Sequence, residues 1–68
     1  PDNIFKLVDK RILSLQAEPR PRGCVKLKGQ TTDFYRVRQG DFRIIYEIDD
    51  ENSTVKIREV TNRRDIYR

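Results

Sequence analysis

Residues 33–49, DFYRVRQGDFRIIYEID, alternate large apolar side chains with charged ones on both sides of a Gln39-Gly40 pair. Alternation at period two sends successive side chains to opposite faces of a strand, so the stretch reads as two strands joined by a tight turn. Glycine supplies the positive φ that a two-residue hairpin turn requires. With Gln39 and Gly40 at the centre of the turn, Arg38 is expected to face Asp41, Val37 to face Phe42, Arg36 to face Arg43 and Tyr35 to face Ile44. Opposed residues lie on the same side of a sheet. One face then carries Tyr35, Val37, Phe42, Ile44, Tyr46 and Ile48, a core surface. The other carries Arg36, Arg38, Arg43 and Ile45.

Like charges facing each other across two strands destabilise the pair. Asp41 would offset only part of this arginine cluster, and a purely solvated face is better served by alternating signs. The arrangement therefore points to a polyanion as the partner of that face.

The rest of the chain supplies a third strand and a helix. Strands are expected near residues 33–38, 42–49 and 54–60. In the last, Val55 and Ile57 alternate with Lys56 and Arg58, and a four-residue loop, Asp50 to Ser53, would set Arg58 opposite Ile45. Glu59 would then point toward the core, a conflict that a β-bulge or an exposed sheet edge resolves. Residues 3–17 read as one amphipathic helix, with Asp2 as N-cap and Ile4, Val8, Ile12 and Leu15 on the buried side. Pro19 and Pro21 end it. The segment GCVKLKG, residues 23–29, reads as a connector over the sheet edge, with Lys26 and Lys28 as solvated charge on composition alone. The order is helix, then antiparallel meander. The expected architecture is α+β, a single domain over residues 1–68 with a helix on one face of a three-stranded antiparallel sheet and a basic tail, residues 61–68.

Composition narrows the chemistry. At 68 residues, 35% hydrophobic and 38% charged, the chain has a thin core. A domain of this size buries only about 60% of its unfolded surface. Fifteen Lys and Arg against eleven Asp and Glu give a net charge of +4, which favours phosphate-rich or carboxylate-rich partners. There is no histidine, the commonest general base, and Cys24 is the single cysteine. A zinc site and an intramolecular disulfide are both disfavoured, no cofactor is implied, and a cytosolic compartment is favoured. Cys24 itself reads as a small buried apolar residue just before a strand. No apolar run approaches the roughly 20 residues of a membrane span. The sequence contains no methionine, so either an initiator was removed or residues upstream are absent.

The tail, TNRRDIYR, interleaves Arg63, Arg64 and Arg68 with Tyr67. Guanidinium for phosphate and a ring for base stacking are what a single-stranded nucleic-acid site uses.

The pieces KLKG, YRVRQGDFRIIYEI and VTNRRDIYR, with AEPRPRG closing the helix, resemble the RelE/ParE superfamily of toxins from prokaryotic toxin–antitoxin pairs. The resemblance covers nearly the whole chain. It implies a small ribonuclease-like fold and, for RelE-type members, metal-free cleavage of mRNA in the ribosomal A site. There the ribose 2′-OH attacks the adjacent phosphate and leaves a 2′,3′-cyclic phosphate. The catalytic set implied is Arg36, Arg38 and Arg43 on the central strands, Arg63, and Tyr67 to stack on or orient a base. Lys26, Lys28, Arg58, Arg64 and Arg68 are expected to grip the RNA backbone.

Three departures stand out. The family commonly has a lysine where Arg38 stands, and a guanidinium is a poor proton acceptor. Many relatives carry Gly-His where this chain has Thr61-Asn62, so a histidine-based step is missing. The family also usually begins with a β-strand and a helix that are not seen here, so the sheet is expected to lack one strand. The resemblance further implies a cognate antitoxin, with an acidic or amphipathic segment over the basic face. Besides the endonuclease, two readings remain open: a ParE-type poison of DNA gyrase and an inactive module that binds its antitoxin.

Overall fold

A computed structural model of the chain describes residues 2–62. It has one helix, α1 (Asp2–Ala17), and four strands, β1 (Val25–Leu27), β2 (Phe34–Gln39), β3 (Phe42–Asp49) and β4 (Thr54–Asn62). The strands form one antiparallel sheet in the order β1-β2-β3-β4. The fold is α+β as expected, but with four strands rather than three.

The extra strand is the middle of the expected connector. Val25 pairs with Arg36, Lys26 with Tyr35 and Leu27 with Phe34. The free backbone edge of β2 needs hydrogen-bond partners, and three extended residues supply them.

The hairpin turn lies one residue later than the sequence suggests. Its central residues are Gly40 and Asp41, between paired Gln39 and Phe42. Gly40 has φ +60° while Asp41 is not in the left-handed region. Positive φ at the first central residue alone, with glycine there, is the pattern of a type II′ turn. The expected pairings are corrected accordingly: Arg38 faces Arg43, Val37 faces Ile44, Arg36 faces Ile45 and Tyr35 faces Tyr46. Each residue of β2 has moved by two along β3, so both faces keep the side chains assigned to them.

The third strand resolves its conflict by a bulge. Ile45 pairs with Glu59 and Tyr46 with Ile57, which leaves Arg58 as the extra residue. Beyond the bulge Glu59 joins the arginine side, and Val60 pairs with Ile44.

The helix covers the opposite face. Val8, Leu15, Val37, Ile44 and Tyr46 form the buried core, and Ile12, Cys24, Tyr35, Phe42, Ile48, Val55 and Ile57 pack around it. Phe5, Leu7 and Leu13 of α1 remain exposed, although the Phe5 ring lies 6.3 Å from that of Phe42. The last helical hydrogen bond runs from the Glu18 N–H to the Ser14 carbonyl at 3.0 Å, and Pro19 cannot continue the series.

The chain leaving α1 is latched to the sheet. The Tyr46 hydroxyl donates to the Pro19 carbonyl at 2.7 Å, and the Tyr46 ring stacks on Tyr35 at 5.8 Å. Arg20 reaches Asp50 with both forks, Nη1 to Oδ1 at 3.1 Å and Nη2 to Oδ2 at 3.0 Å, and lies 5.4 Å over the Tyr35 ring. Arg20 holds the Asp50 carboxyl below its ordinary range. That pair is exposed, so it orients the segment more than it stabilises it. Next to it, Asp49 accepts from the Asn52 backbone N–H at 3.2 Å and from Asn52 Nδ2 at 2.8 Å, closing the β3–β4 loop. These two bonds lower the Asp49 pKa.

Two stability predictions follow from the packing. Leu15 is fully buried. The Leu15→Ala change should cost about 2–5 kcal/mol, read from the denaturant midpoint. Burial pushes the Tyr46 phenol from 10.0 up to about 12. The folded chain holds that proton after the unfolded chain has lost it, so stability is intact below pH 10 and falls as pH rises toward 12. Tyr46→Phe should remove this alkaline loss. It should also cost about 1–3 kcal/mol at neutral pH, because the Pro19 carbonyl is left without its donor.

Candidate functional site

The face of the sheet away from α1 follows from strand parity. β1 places Val25 and Leu27 there, β2 Phe34, Arg36 and Arg38, and β3 Arg43, Ile45 and Glu47; β4 places Lys56, Glu59 and Thr61 there. Alternation is the reason: each of these residues neighbours, on its own strand, one that points to the helix side.

Arg36, Arg38 and Arg43 come together as expected. Arg38 stands directly opposite Arg43, with Arg36 one pair further along, between Val25 and Ile45. Directly opposed side chains have Cβ atoms about 5 Å apart. Arg36 and Arg43 are half-buried and Arg38 is exposed.

The ion pairs of the described residues are all made elsewhere, by Arg20 with Asp50, Lys26 with Asp33 at 3.2 Å, and Arg58 with Glu47 at 3.2 Å. None involves Arg36, Arg38 or Arg43. Asp41, expected to face Arg38, occupies the turn instead. The three arginines therefore share one face of the sheet with no ion pair to a described carboxylate.

The expected RNA-gripping residues divide. Lys26 pairs with Tyr35 and so lies on the helix side of the sheet, bound to Asp33. It does not share the arginine face. Lys28 is exposed just past β1. Arg58 is the bulged residue; its Nε binds Glu47 Oε2 and its guanidinium lies 5.9 Å from the centre of the Phe34 ring. Arg63, Arg64, Tyr67 and Arg68 lie outside the described residues. Of the pair standing where many relatives have Gly-His, Thr61 pairs with Arg43 and Asn62 with Phe42.

Sequence reasoning passed over an open cleft of about 540 Å³ on this same face, lined by Leu27, Phe34, Ile45, Arg58 and Glu59. Its floor, Ile45, is the cross-strand neighbour of Arg36. Phe34 was findable, because it shares the parity of Arg36 and Arg38. Glu59 was not, because only the bulge brings it to this side.

Chemically, the face offers fixed positive charge and forked donors matched to phosphate oxygens. A guanidinium does not accept a proton, so Arg36, Arg38 and Arg43 can stabilise negative charge but cannot serve as a base.

Comparison with known proteins agrees with the resemblance read from the sequence. Residues 1–67 match the family model described as ParE toxin of type II toxin-antitoxin system, parDE. Over 42 residues the chain is 43% identical to Toxin RelG of Mycobacterium tuberculosis (strain ATCC 25618 / H37Rv), a match that covers 62% of this chain and 48% of that protein. The chain thus spans about half the length of this curated relative. No solved structure matches. With its helix-covered antiparallel sheet and its arginine face, the chain belongs to the ParE toxin family of type II toxin–antitoxin systems, within the RelE/ParE superfamily.

Proposed function

We propose that the chain is a toxin that acts as a ribosome-dependent endonuclease, cutting mRNA in the A site by attack of the ribose 2′-OH on the adjacent phosphate. The observation that carries this reading is the clustering of Arg36, Arg38 and Arg43 on one sheet face, with Arg38 directly opposite Arg43 and no ion pair among the described residues. As O2′ attacks, negative charge builds on the pentacoordinate phosphorus. Guanidiniums already in place stabilise that charge without reorganising. Arg36 and Arg43 bind the phosphate oxygens, and Arg38 adds positive charge. The O2′ proton goes to a group other than these three. The P–O5′ bond then breaks, the departing 5′-oxygen takes up a proton, and the products are a 2′,3′-cyclic phosphate and a 5′-hydroxyl. Arg63 and Tyr67 take the roles the resemblance implies, phosphate binding and base orientation.

The match of residues 1–67 to the ParE model favours a second reading, poisoning of DNA gyrase on the same fold. A superfamily fold hosts more than one activity. In either reading the partner in the resting cell is a cognate antitoxin whose acidic or amphipathic segment covers the arginine face, since complementary charge steers such pairs.

Primer extension on mRNA in programmed ribosomes, with and without the purified protein, separates the readings. New breaks confined to the A-site codon are expected; an uncut message with folded protein would favour the gyrase reading. Arg43→Ala should slow cleavage by about 10²–10³-fold. Its fold should be intact by circular dichroism, and normal growth arrest by this variant would remove Arg43 from the site. Binding to single-stranded RNA should weaken with salt, with a slope of log K on log salt of about 0.7 per phosphate contacted. Arg36→Ala should make that slope shallower by about one such contact.

A further inference from the structure

We propose that the cleft between Phe34 and Glu59 is a base-binding subsite that takes one unstacked guanine of the RNA. The inference rests on the RNA-binding reading of the arginine face and names what that face reads.

The cleft has the makings of a stacking platform. Its apolar lining is Leu27, Phe34 and Ile45, contributed by three neighbouring strands. An aromatic ring beside an aliphatic floor suits the flat face of a base. Arg58 forms one wall and is held there twice, by Glu47 at 3.2 Å and by the Phe34 ring at 5.9 Å. The cleft adjoins the arginine cluster through Ile45, which is paired with Arg36 and is two residues from Arg43 on the same face of β3. A nucleotide whose phosphate lies on those arginines has its base one strand spacing away.

The choice of base comes from Glu59. This carboxylate lines the cleft, faces Ile45 across the strands, and makes no ion pair among the described residues. Arg58, its neighbour in the cleft, is already committed to Glu47. A carboxylate on a face built for phosphate repels the ligand unless it meets a donor. Ionised, it only accepts, and it accepts best from two adjacent N–H groups at once. Guanine alone presents such a pair, N1–H beside the N2 amine. Adenine, cytosine and uracil each offer one donor on that edge, next to an acceptor that the carboxylate would repel.

The test is a heteronuclear NMR titration of the purified 68-residue chain with guanosine 3′-monophosphate, adenosine 3′-monophosphate and inorganic phosphate. Guanosine 3′-monophosphate should bind about 5- to 150-fold more tightly than the adenosine form, the range that a bidentate base contact supplies. It should shift Phe34, Ile45 and Glu59, whereas phosphate shifts only the arginines. Glu59→Gln should abolish the preference and leave phosphate binding unchanged. Equal affinity for the two nucleotides, or shifts confined to the arginines with all three ligands, would overturn the subsite. The wild-type comparison needs no variant to fold. Mapping the breaks in programmed ribosomes keeps the two proposals apart. Breaks indifferent to guanine, in the wild type and in Glu59→Gln alike, would overturn the subsite and spare the endonuclease. Guanine-selective binding without cleavage would support the subsite and remove the endonuclease.

Discussion

The pairing of β2 with β3 is the constraint on which the rest of the molecule depends. Gly40 sets it, because the first central residue of this turn needs a positive φ that glycine adopts without steric cost. Once Gln39 is paired with Phe42, every later pairing follows, and with it the division of side chains between two faces. Val37 and Ile44 meet on one side as the fully buried centre of the core. Arg38 and Arg43 meet on the other. A slip of one residue would exchange the faces of one strand and bury guanidiniums against α1, at a cost that a 68-residue domain cannot absorb.

A single helix can cover only one of those faces, and Tyr46 decides how firmly it does so. Its ring fills the middle of the core while its hydroxyl reaches the Pro19 carbonyl just beyond the helix end. The chain leaving α1 is thereby tied to the central strand rather than left to solvent. Arg20, spanning the Tyr35 ring and Asp50, keeps the same segment aligned. With the core organised from one side, the arginine face is relieved of any packing role. Its like charges can then stand together without disturbing that core.

Much of this was legible in the residues, and what was missed has definite causes. Alternation identified both faces of the hairpin, because face depends only on parity. It could not fix the register, since Gln39-Gly40 and Gly40-Asp41 both place a glycine in the turn and differ only in which central residue takes the positive φ. The two solutions differ by an even shift, so the arginine cluster survived the error while its partners changed. β1 is not legible because three residues between Cys24 and Lys28 carry too short a period to separate from a connector, and only the open edge of β2 makes them a strand. Lys26 was misplaced for the same reason: without β1 there is no register to show that it lies beside Tyr35.

The bulge at Arg58 joins the two halves of the argument. Glu59 read as a charged residue aimed at the core, a clash between local pattern and global fold. Such conflicts in natural proteins tend to mark sites where something other than stability is being satisfied. One inserted residue removes the carboxylate from the helix side, where burial without a partner would be costly, and lets Val60 take its place opposite Ile44. The bend in β4 carries the acid onto a face of arginines, where under the proposed subsite it meets a base donor. The cleft beside it, floored by Ile45 and walled by Phe34, is where such a donor would arrive.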